Sequence, residues 1–344
     1  MFLSELMVNP VLVVVVLLNI GVIVVNGATD APNAIATVVG TRCMSAKAAI
    51  IMAAICNFLG LLIITLISAA VANTIFKMVD FGGDAHMAMI ALMAAMVAII
   101  VWGVVTWWFG LPTSQSHSLI AGLTGAAIAL QGGLDGVNWA EWVKVLYGIA
   151  LSTLGGFGLG WLTSKVVMRA FERADRQKSD HFFKWAQIVT GAGVAFMHGA
   201  QDGQKFLGIF VLAITLGAGL GQPDSFVLPL WLMVFCALNM GLGTAIGGKK
   251  IIKSVGMDMV KLEKHQGFAA SFSGTICLIF ATFAGLPVST THTKTTAIMG
   301  VGAAKRRSAV KWGIAGDMVK NWVLTFPGCG LLGFVMAKLF FLIA

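Results

Sequence analysis

Long apolar segments recur along the whole chain and are separated by short polar stretches. Eight of them are long enough to form a helix that crosses about 30 Å of hydrocarbon, which takes roughly 20 residues. They cover residues 8–29, 44–72, 88–110, 139–168, 185–217, 227–248, 267–285 and 311–343. Two shorter apolar pieces, 112–130 and 287–302, bring the count to ten predicted membrane elements. A tilt or a break inside the second segment, 44–72, would change the count by one or two, to as many as twelve.

The predicted elements are helices, because lipid leaves the unpaired edges of a sheet without hydrogen-bond partners. The chain also lacks the alternating ten-residue segments of a membrane barrel. Composition agrees, since 58% of the residues are apolar and 11% are charged, against about 25% charged residues in soluble domains. The first apolar segment follows no basic residues, so we expect a mature membrane helix rather than a signal peptide. The sequence therefore predicts an all-α polytopic membrane protein.

The net charge of +9 is unevenly distributed along the chain. Seventeen of the 23 lysines and arginines lie in four segments, 42–47, 165–184, 249–264 and 305–311. Ten alternating crossings bring all four segments to one side, which the positive-inside rule assigns to the cytoplasm. Both termini are then expected on the extracytoplasmic side of the cell membrane, which is the inner or cytoplasmic membrane. This placement accounts for the positive charge without a nucleic-acid partner.

Two polar motifs each occur twice. The sequence GATDAPN at 27–33 returns as GAQDGQK at 199–205, and PTSQSHS at 112–118 returns as PVSTTHT at 287–293. The two copies are offset by 172 and 175 residues, about half of the 344-residue chain. With ten crossings the halves enter the membrane from opposite sides, which predicts inverted-topology repeats with broken helices or re-entrant hairpins. We expect a first repeat over 1–168, a cytoplasmic basic linker over 169–184, and a second repeat over 185–344.

The linker is expected to form an amphipathic helix on the inner leaflet or a solvated loop. Within the repeats, Gly27 and Pro32 predict a helix break in the first half, and Gly199 and Gly203 predict one in the second half.

The duplicated aspartates, Asp30 and Asp202, are the first candidates for chemistry. A carboxylate at membrane depth costs several kcal/mol unless it is paired, solvated or protonated, so we expect both to bind the coupling cation or proton. Asn33 follows Asp30 by three residues and shares its helical face. Carboxylate and amide oxygens are ligands for small hard cations, so Asp30 and Asn33 are also a candidate metal site. Capping of a broken helix is the structural alternative.

Lys205 takes the place of Asn33 in the second copy. It could neutralise Asp202, attract an anion or titrate during transport, because a buried lysine changes protonation readily. A lysine that only reaches for the membrane surface is the structural alternative. We therefore include Lys205 with Asp30, Asn33 and Asp202 in the predicted coupling site.

The hydroxyl-rich motifs supply a predicted anion site. Proline disfavours helix in the residue before it, hydroxyls cap the helix that follows, and the free amides at a helix N-terminus attract oxyanions. The residues predicted to bind a tetrahedral oxyanion are Ser114, Gln115, Ser116, Ser289, Thr290 and Thr291, together with Gln204 from the second aspartate motif.

Other polar residues near these motifs have less defined roles. His117 and His292 end the two motifs, either as hydrogen-bonded structural residues or as a proton relay. Lys294 has no counterpart in the first copy and is expected to tune the site, as is Gln115. No catalytic residue and no cofactor are predicted. The scattered cysteines indicate neither a disulfide nor a metal site.

These motifs resemble those of the PiT family of inorganic phosphate transporters, over nearly the whole chain. The matching sequences are NGATDAPNAIATVVGTR with LPTSQSH, and HGAQDGQKFLG with GLPVSTTH. The resemblance implies a phosphate symporter built from inverted repeats, a homodimer, and substrate bound between two broken-helix or hairpin elements. Thr29 and Gln201 replace the asparagine that the family usually has before each aspartate.

The HGAQDGQK motif, with Lys205, resembles the bacterial low-affinity branch of this family. That resemblance implies coupling to protons and a possible metal–phosphate cargo, whereas sodium-driven relatives keep Asp and Asn in both halves. We therefore expect phosphate import driven by H+, with Na+ coupling or transport of sulfate as the alternatives.

Three mechanisms compete to explain a duplicated polar site in a membrane, and the sequence favours the first. Alternating-access symport explains both the duplication and the aspartates. An intramembrane enzyme with Ser116–His117 or Thr291–His292 is disfavoured, because neighbouring helical residues point about 100° apart. A passive anion channel is disfavoured by the two carboxylates. We predict a transporter and not an enzyme.

Overall fold

The computed structural model describes residues 9–109, 113–219, 228–246, 252 and 259–343. Across these ranges the chain is helical, and the extended pairing consists of two isolated bridges, Val79–Val137 and Val260–Val310. The all-α prediction is confirmed. Pro112, which was predicted to end the helix before the first hydroxyl motif, lies outside the described residues.

The α-helices in chain order are α1 (Pro10–Thr29), α2 (Ala31–Gly40), α3 (Ala46–Ile67), α4 (Ala70–Phe76), α5 (Ala85–Trp108), α6 (Gln115–Gln131), α7 (Trp139–Ala150), α8 (Gly156–Ala170), α9 (Arg176–Gly217), α10 (Leu230–Ile246), α11 (Lys264–Phe283), α12 (Thr290–Lys305) and α13 (Trp312–Phe341). A π-helical turn over Leu151–Gly155 joins α7 to α8, and a 3-10 turn over Arg307–Ala309 precedes α13.

Six helical spans in the described ranges are long and apolar enough to cross a membrane. They are Pro10–Gly40, Ala46–Ile67, Ala85–Trp108, Trp139–Ala170, Lys264–Phe283 and Trp312–Phe341. The helix α10 is apolar as well but shorter. The chain is therefore a polytopic membrane protein, as its hydropathy predicts.

The first half contains the helix break that its sequence predicts. Asp30 separates α1 from α2, with φ −100° and ψ −41°, and its amide still donates to the Asn26 carbonyl at 2.8 Å. Pro32 lies in the first turn of α2, where its missing N–H is tolerated. The break is thus confined to one residue.

The break predicted at Gly199 and Gly203 is wrong, because α9 runs without interruption from Arg176 to Gly217. These glycines serve helix packing instead. A Cβ at Gly199 would collide with the backbone of Asn57, and one at Gly203 would lie 2.6 Å from the Leu61 side chain. Small residues one turn apart let α9 and α3 approach closely, which is the common use of glycine in membrane helices.

The basic segment 169–184 is not a separate helix. The helix α8 ends at Ala170, a turn follows, and α9 begins at Arg176 with Asp175 as its N-cap. The Asp175 carboxylate accepts a hydrogen bond from the Lys178 amide at 2.8 Å. About half of the predicted linker thus belongs to the long helix that carries Asp202. The division into repeats over 1–168 and 185–344 stays a prediction.

Candidate functional site

Two helices begin at the hydroxyl motifs, as predicted. Ser114 caps α6 and accepts a hydrogen bond from the His117 amide at 3.2 Å. Ser289 caps α12 in the same way, with the His292 amide at 3.1 Å. Ser116, Thr290 and Thr291 lie in the first turns of these two helices and donate to the two aspartates.

Asp30 receives hydrogen bonds from both halves of the chain. The Thr291 hydroxyl donates to its Oδ1, the Asn33 amide donates to the same oxygen at 3.1 Å, and the Gln115 backbone N–H donates to Oδ2 at 3.3 Å. Asn33 also donates to the Thr291 hydroxyl at 2.9 Å. Within the described ranges the donors to this carboxylate are all neutral, and the role of Asp30 and Asn33 as cation ligands stays a prediction.

Asp202 has a cation beside it. The Lys205 amine lies 2.7 Å from its Oδ1, and Ser116 donates to the same oxygen at 3.2 Å. On Oδ2, Thr290 donates at 3.3 Å and Asn26 at 3.2 Å. Asn26 and Ser116 come from the first half of the chain, so this carboxylate also joins the two halves.

Lys205 has a partner for each of its three N–H groups. Besides Asp202 it donates to the Ser116 hydroxyl and to the Val288 carbonyl, each at 2.6 Å. The side chain is fully buried, so it does not reach for the membrane surface. Of the roles left open by the sequence, neutralisation of Asp202 is the one this geometry displays.

His198 is a site residue that the sequence reasoning missed. Its Nε2 lies 3.3 Å from Asp202 Oδ2, and its Nδ1 is 3.0 Å from the Asn57 side-chain oxygen. The missed signal is the spacing: His198 precedes Asp202 by four residues, as Asn26 precedes Asp30. Ligand atoms of Asp30, His198 and Asp202 lie within 4.8 Å of one another, which suits a small cation better than the predicted pair of Asp30 and Asn33 alone.

The side chains of this site are closely packed against one another. The aspartates, their hydroxyl partners and Lys205 are each at most 4% exposed. A group as large as phosphate therefore fits among them only after side chains or helices move apart.

His117 and His292 meet between the two hydroxyl motifs. Their ring centroids are 4.4 Å apart in an edge-to-face arrangement, and the rings pack on Phe326 and Trp322 of α13. Across the described ranges, neither ring has a hydrogen-bond partner for its nitrogens. The structure thus gives them an aromatic packing role, and the proton relay stays a prediction.

Gln204 does not face the hydroxyl motifs. Its side-chain amide donates to the Ser68 carbonyl at 2.7 Å and accepts from the Val71 amide at 3.2 Å. It therefore stabilises the connection between α3 and α4. Gln115 contacts Asp30 only through its backbone, so its side chain is not committed to the carboxylate.

Comparison with known proteins identifies relatives of the whole chain. The model of the "Phosphate transporter family" matches residues 26–333. A Bacillus subtilis protein named "Probable low-affinity inorganic phosphate transporter" is 38% identical over 90% of this chain and 91% of its own length. A Rhizobium meliloti protein of the same name is 39% identical over 89% of this chain and 90% of its own length.

A solved structure named "The sodium-dependent phosphate transporter" has the same fold. It superposes with a TM-score of 0.84 at 23% identity and covers 98% of this chain and 100% of its own. Membership in a transporter family agrees with the prediction that the chain is not an enzyme. Together, the family match over most of the chain and the paired polar motifs identify the protein as a member of the phosphate transporter family, the PiT family that its sequence resembles.

Proposed function

We propose that the protein imports inorganic phosphate together with protons, by alternating access between its two halves. The observation that carries this proposal is the unequal charge balance of the two aspartates. Lys205 lies 2.7 Å from Asp202, whereas in the described ranges no lysine, arginine or histidine forms an ion pair with Asp30 within 4.0 Å. Asp30 is therefore the carboxylate that needs a proton or a cation when an anion approaches.

Phosphate can take over hydrogen bonds that the aspartates now receive. Ser116 and Thr290 donate to Asp202, and Thr291 donates to Asp30. A phosphate oxygen accepts the same hydrogen bonds as a carboxylate oxygen, and the N-termini of α6 and α12 favour an anion there. We infer that phosphate binds between these two N-termini once the donors turn toward it.

This exchange supplies a physical reason for coupling. A phosphate anion next to two carboxylates is repelled at short range, and the repulsion is strong in a medium of low dielectric constant. Protonation of Asp30 removes one of the negative charges and frees the Thr291 hydroxyl for the substrate. Lys205 holds Asp202 neutral as a pair throughout, so that each phosphate requires a proton at Asp30.

Alternating access rests on the hydrogen bonds that cross between the halves. Asp30 bonds to Thr291, and Asp202 bonds to Asn26 and Ser116. Because these bonds end on the coupling residues, binding can loosen or tighten the contact between the repeats. We propose inverted repeats over 1–168 and 185–344, the inner membrane as the location, both termini outside, and a homodimer.

Sodium coupling is the second candidate, and one cluster favours it. The ligand atoms of Asp30, His198 and Asp202 lie within 4.8 Å of one another, and Asn33 and Thr291 add neutral groups beside Asp30. The solved transporter with the same fold is named as sodium-dependent. In this scheme Na+ at Asp30 replaces the proton.

Purified protein in proteoliposomes distinguishes these candidates. With an acidic exterior and no sodium, we expect accumulation of labelled phosphate above its external concentration. An inward sodium gradient at equal pH should give no accumulation, and a tenfold excess of sulfate should not compete. Accumulation driven only by sodium would favour the second candidate. If neither gradient drives accumulation, coupled phosphate transport is wrong.

A further inference from the structure

We propose that a second oxyanion site lies at Lys294, between the central site and the end of the molecule where Arg176 and Lys264 lie, here called the basic end, and that phosphate occupies it while crossing toward that end. This inference rests on the proposed phosphate transport. It assigns a substrate contact to a lysine outside the central cluster of aspartates and hydroxyls.

Lys294 is a buried amine with few partners. It lies on α12 with 1% exposure, and in the described ranges its one hydrogen-bond partner is the Ser271 hydroxyl at 2.7 Å. No carboxylate oxygen from those ranges lies within the 4.0 Å that defines an ion pair with its amine. Lys205, by contrast, uses all three N–H groups and pairs with Asp202.

A buried lysine without a counter-charge is costly inside a membrane protein, and such residues commonly mark the path of a substrate or ion. The amine of Lys294 retains donor capacity that the protein does not use in this conformation. An oxyanion supplies both the missing negative charge and the missing acceptors.

The groups around Lys294 are those that suit an oxyanion. The Ser271 hydroxyl lies 3.0 Å from the Thr37 hydroxyl and 3.5 Å from the Gln187 side-chain nitrogen. Hydroxyl and amide donors of this kind also surround the central aspartates.

This second group lies one helical turn beyond the central site. Lys294 follows Thr291 by three residues on α12, and Thr37 follows Asn33 by four on α2. Residues at these spacings share a helix face, and one turn advances about 5 Å along the axis. A phosphate at Lys294 would therefore have left the central site in the direction in which α2 and α12 both run.

The polar side chains continue from there to a cavity at the basic end. The Thr41 hydroxyl donates to the Thr37 carbonyl at 2.8 Å, and Thr41 lines a cavity of about 590 Å³. The cavity wall carries both charges, with Arg176 and Lys264 beside the carboxylates of Glu172, Asp180 and Glu263. Gly267 lies between Gln187 and Thr41. A Cβ at this position would lie 2.6 Å from Gln187 Oε1 and 2.8 Å from Thr41 Cγ2. The positive-inside rule assigns this end to the cytoplasm.

Phosphate exchange measured from each side of the membrane tests this proposal. Right-side-out and inverted vesicles would be compared at equal pH and without an ion gradient, so that substrate binding and not coupling is measured. We expect Lys294→Met to raise the KM for phosphate at least tenfold from the basic side, and to change it less than twofold from the other side. Lys294→Arg, which keeps the charge, should stay within about threefold of the parent protein on both sides.

Two further variants complete the test: one removes a neighbouring hydroxyl in case Lys294→Met misfolds, and the other is a control. Thr37→Val keeps the shape of the side chain but removes the hydroxyl, and should raise the KM on the basic side alone. Lys320→Met, at an exposed lysine of α13, is the matched control and should leave both values unchanged.

The results separate the two proposals. An unchanged KM on both sides for Lys294→Met and Thr37→Val, or an equal rise on both sides, would overturn the Lys294 site while phosphate transport itself stands. Failure of the parent protein to exchange phosphate from either side would instead overturn the proposed function.

Discussion

Lys205 donates to Asp202 at 2.7 Å along one face of α9, whereas the corresponding residue of the first half, Asn33, donates an uncharged amide to Asp30 at 3.1 Å. Asp202 with its neighbour Lys205 therefore differs in net charge from Asp30 with its neighbour Asn33. Each aspartate nevertheless receives a hydrogen bond from a hydroxyl of the opposite half. This difference makes Asp30 the residue at which we expect the driving ion to act.

Replacement of Asp30 by asparagine should abolish concentrative uptake of phosphate. The amide cannot take up a proton, so a pH gradient can no longer drive accumulation, and internal phosphate should not exceed the external concentration in proteoliposomes. Asp202→Asn should also abolish accumulation, because it leaves the Lys205 charge buried without a partner. Asp135→Asn, in an exposed turn, is the matched control. Full accumulation by Asp30→Asn would remove this residue from the coupling role.

Lys205→Met should destabilise the protein more than the double variant Asp202→Asn/Lys205→Met. Loss of one partner of a buried pair leaves an uncompensated charge and costs about 3–5 kcal/mol, whereas removal of both charges is much less costly. Thermal unfolding in detergent would show this as a lower Tm for the single variant, with a partial recovery in the double variant. Equal Tm values for the two variants would contradict a charged pair at this position.

Ser116→Ala and Thr291→Val should each weaken phosphate binding. A hydrogen bond to a charged group contributes about 1.5–3 kcal/mol, so we expect the KM for phosphate to rise by about 10- to 100-fold. Thr153→Val is the matched control, since its hydroxyl donates to the Ile149 carbonyl one turn earlier, at 2.6 Å, and to neither aspartate. An unchanged KM in both site variants would exclude these hydroxyls as substrate ligands.

Gly199→Ala should destabilise the contact between α9 and α3. Its Cβ would collide with the backbone of Asn57, and overpacking of this kind costs about 1–3 kcal/mol. Gly158→Ala on α8 is the control, because a Cβ at that position meets no atom within 4 Å. We expect a lower Tm for the first variant and an unchanged or slightly higher Tm for the second. Similar Tm values would argue against tight packing here.

The ion pair between Glu263 and Lys305 at the basic end should give a small stability contribution that depends on pH. The hydrogen bond from Lys305, at 2.5 Å, lowers the pKa of the Glu263 carboxyl below its ordinary value of 4.5. A lowered pKa in the folded state means that the contribution is present above the ordinary pKa and is lost as the pH falls through the folded value. Because the carboxylate is half exposed, we expect Glu263→Gln to cost less than about 1 kcal/mol at pH 7. The difference from the parent protein should vanish in acid; a constant difference would contradict the assignment.

The sequence predicted most helices, because apolar segments long enough to cross a membrane can be identified from residue type and segment length alone. It also predicted the break at Asp30, where Gly27 and Pro32 weaken the helix. It failed at Gly199 and Gly203, because glycine either weakens a helix or lets another helix approach, and only the position of α3 decides between the two. The break between Ile67 and Ala70 has no glycine or proline to mark it.

The residues of the candidate site were predicted in part, because the duplicated motifs mark some of them and not others. Motif matching found Asp202, which repeats Asp30, and Lys205, which takes the place of Asn33 at the same offset. It missed His198, because the first copy has Asn26 at the corresponding position and the two residue types do not match. The correspondence is visible only in the structure, where Asn26 also contacts Asp202, from the other half of the chain. It also gave Gln204 a substrate contact, although its amide stabilises the connection at Ser68.

The continuity of α9 has a mechanical consequence. A continuous helix of 42 residues has an axial length of about 63 Å, roughly twice the thickness of the hydrocarbon layer. It carries Arg176 at the wall of the basic-end cavity and Asp202 in the central site. Because α9 is uninterrupted between these residues, we expect a tilt that opens the hydrogen bonds at Asp202 to move Arg176 as well, which would link the ion site to the mouth of the cavity.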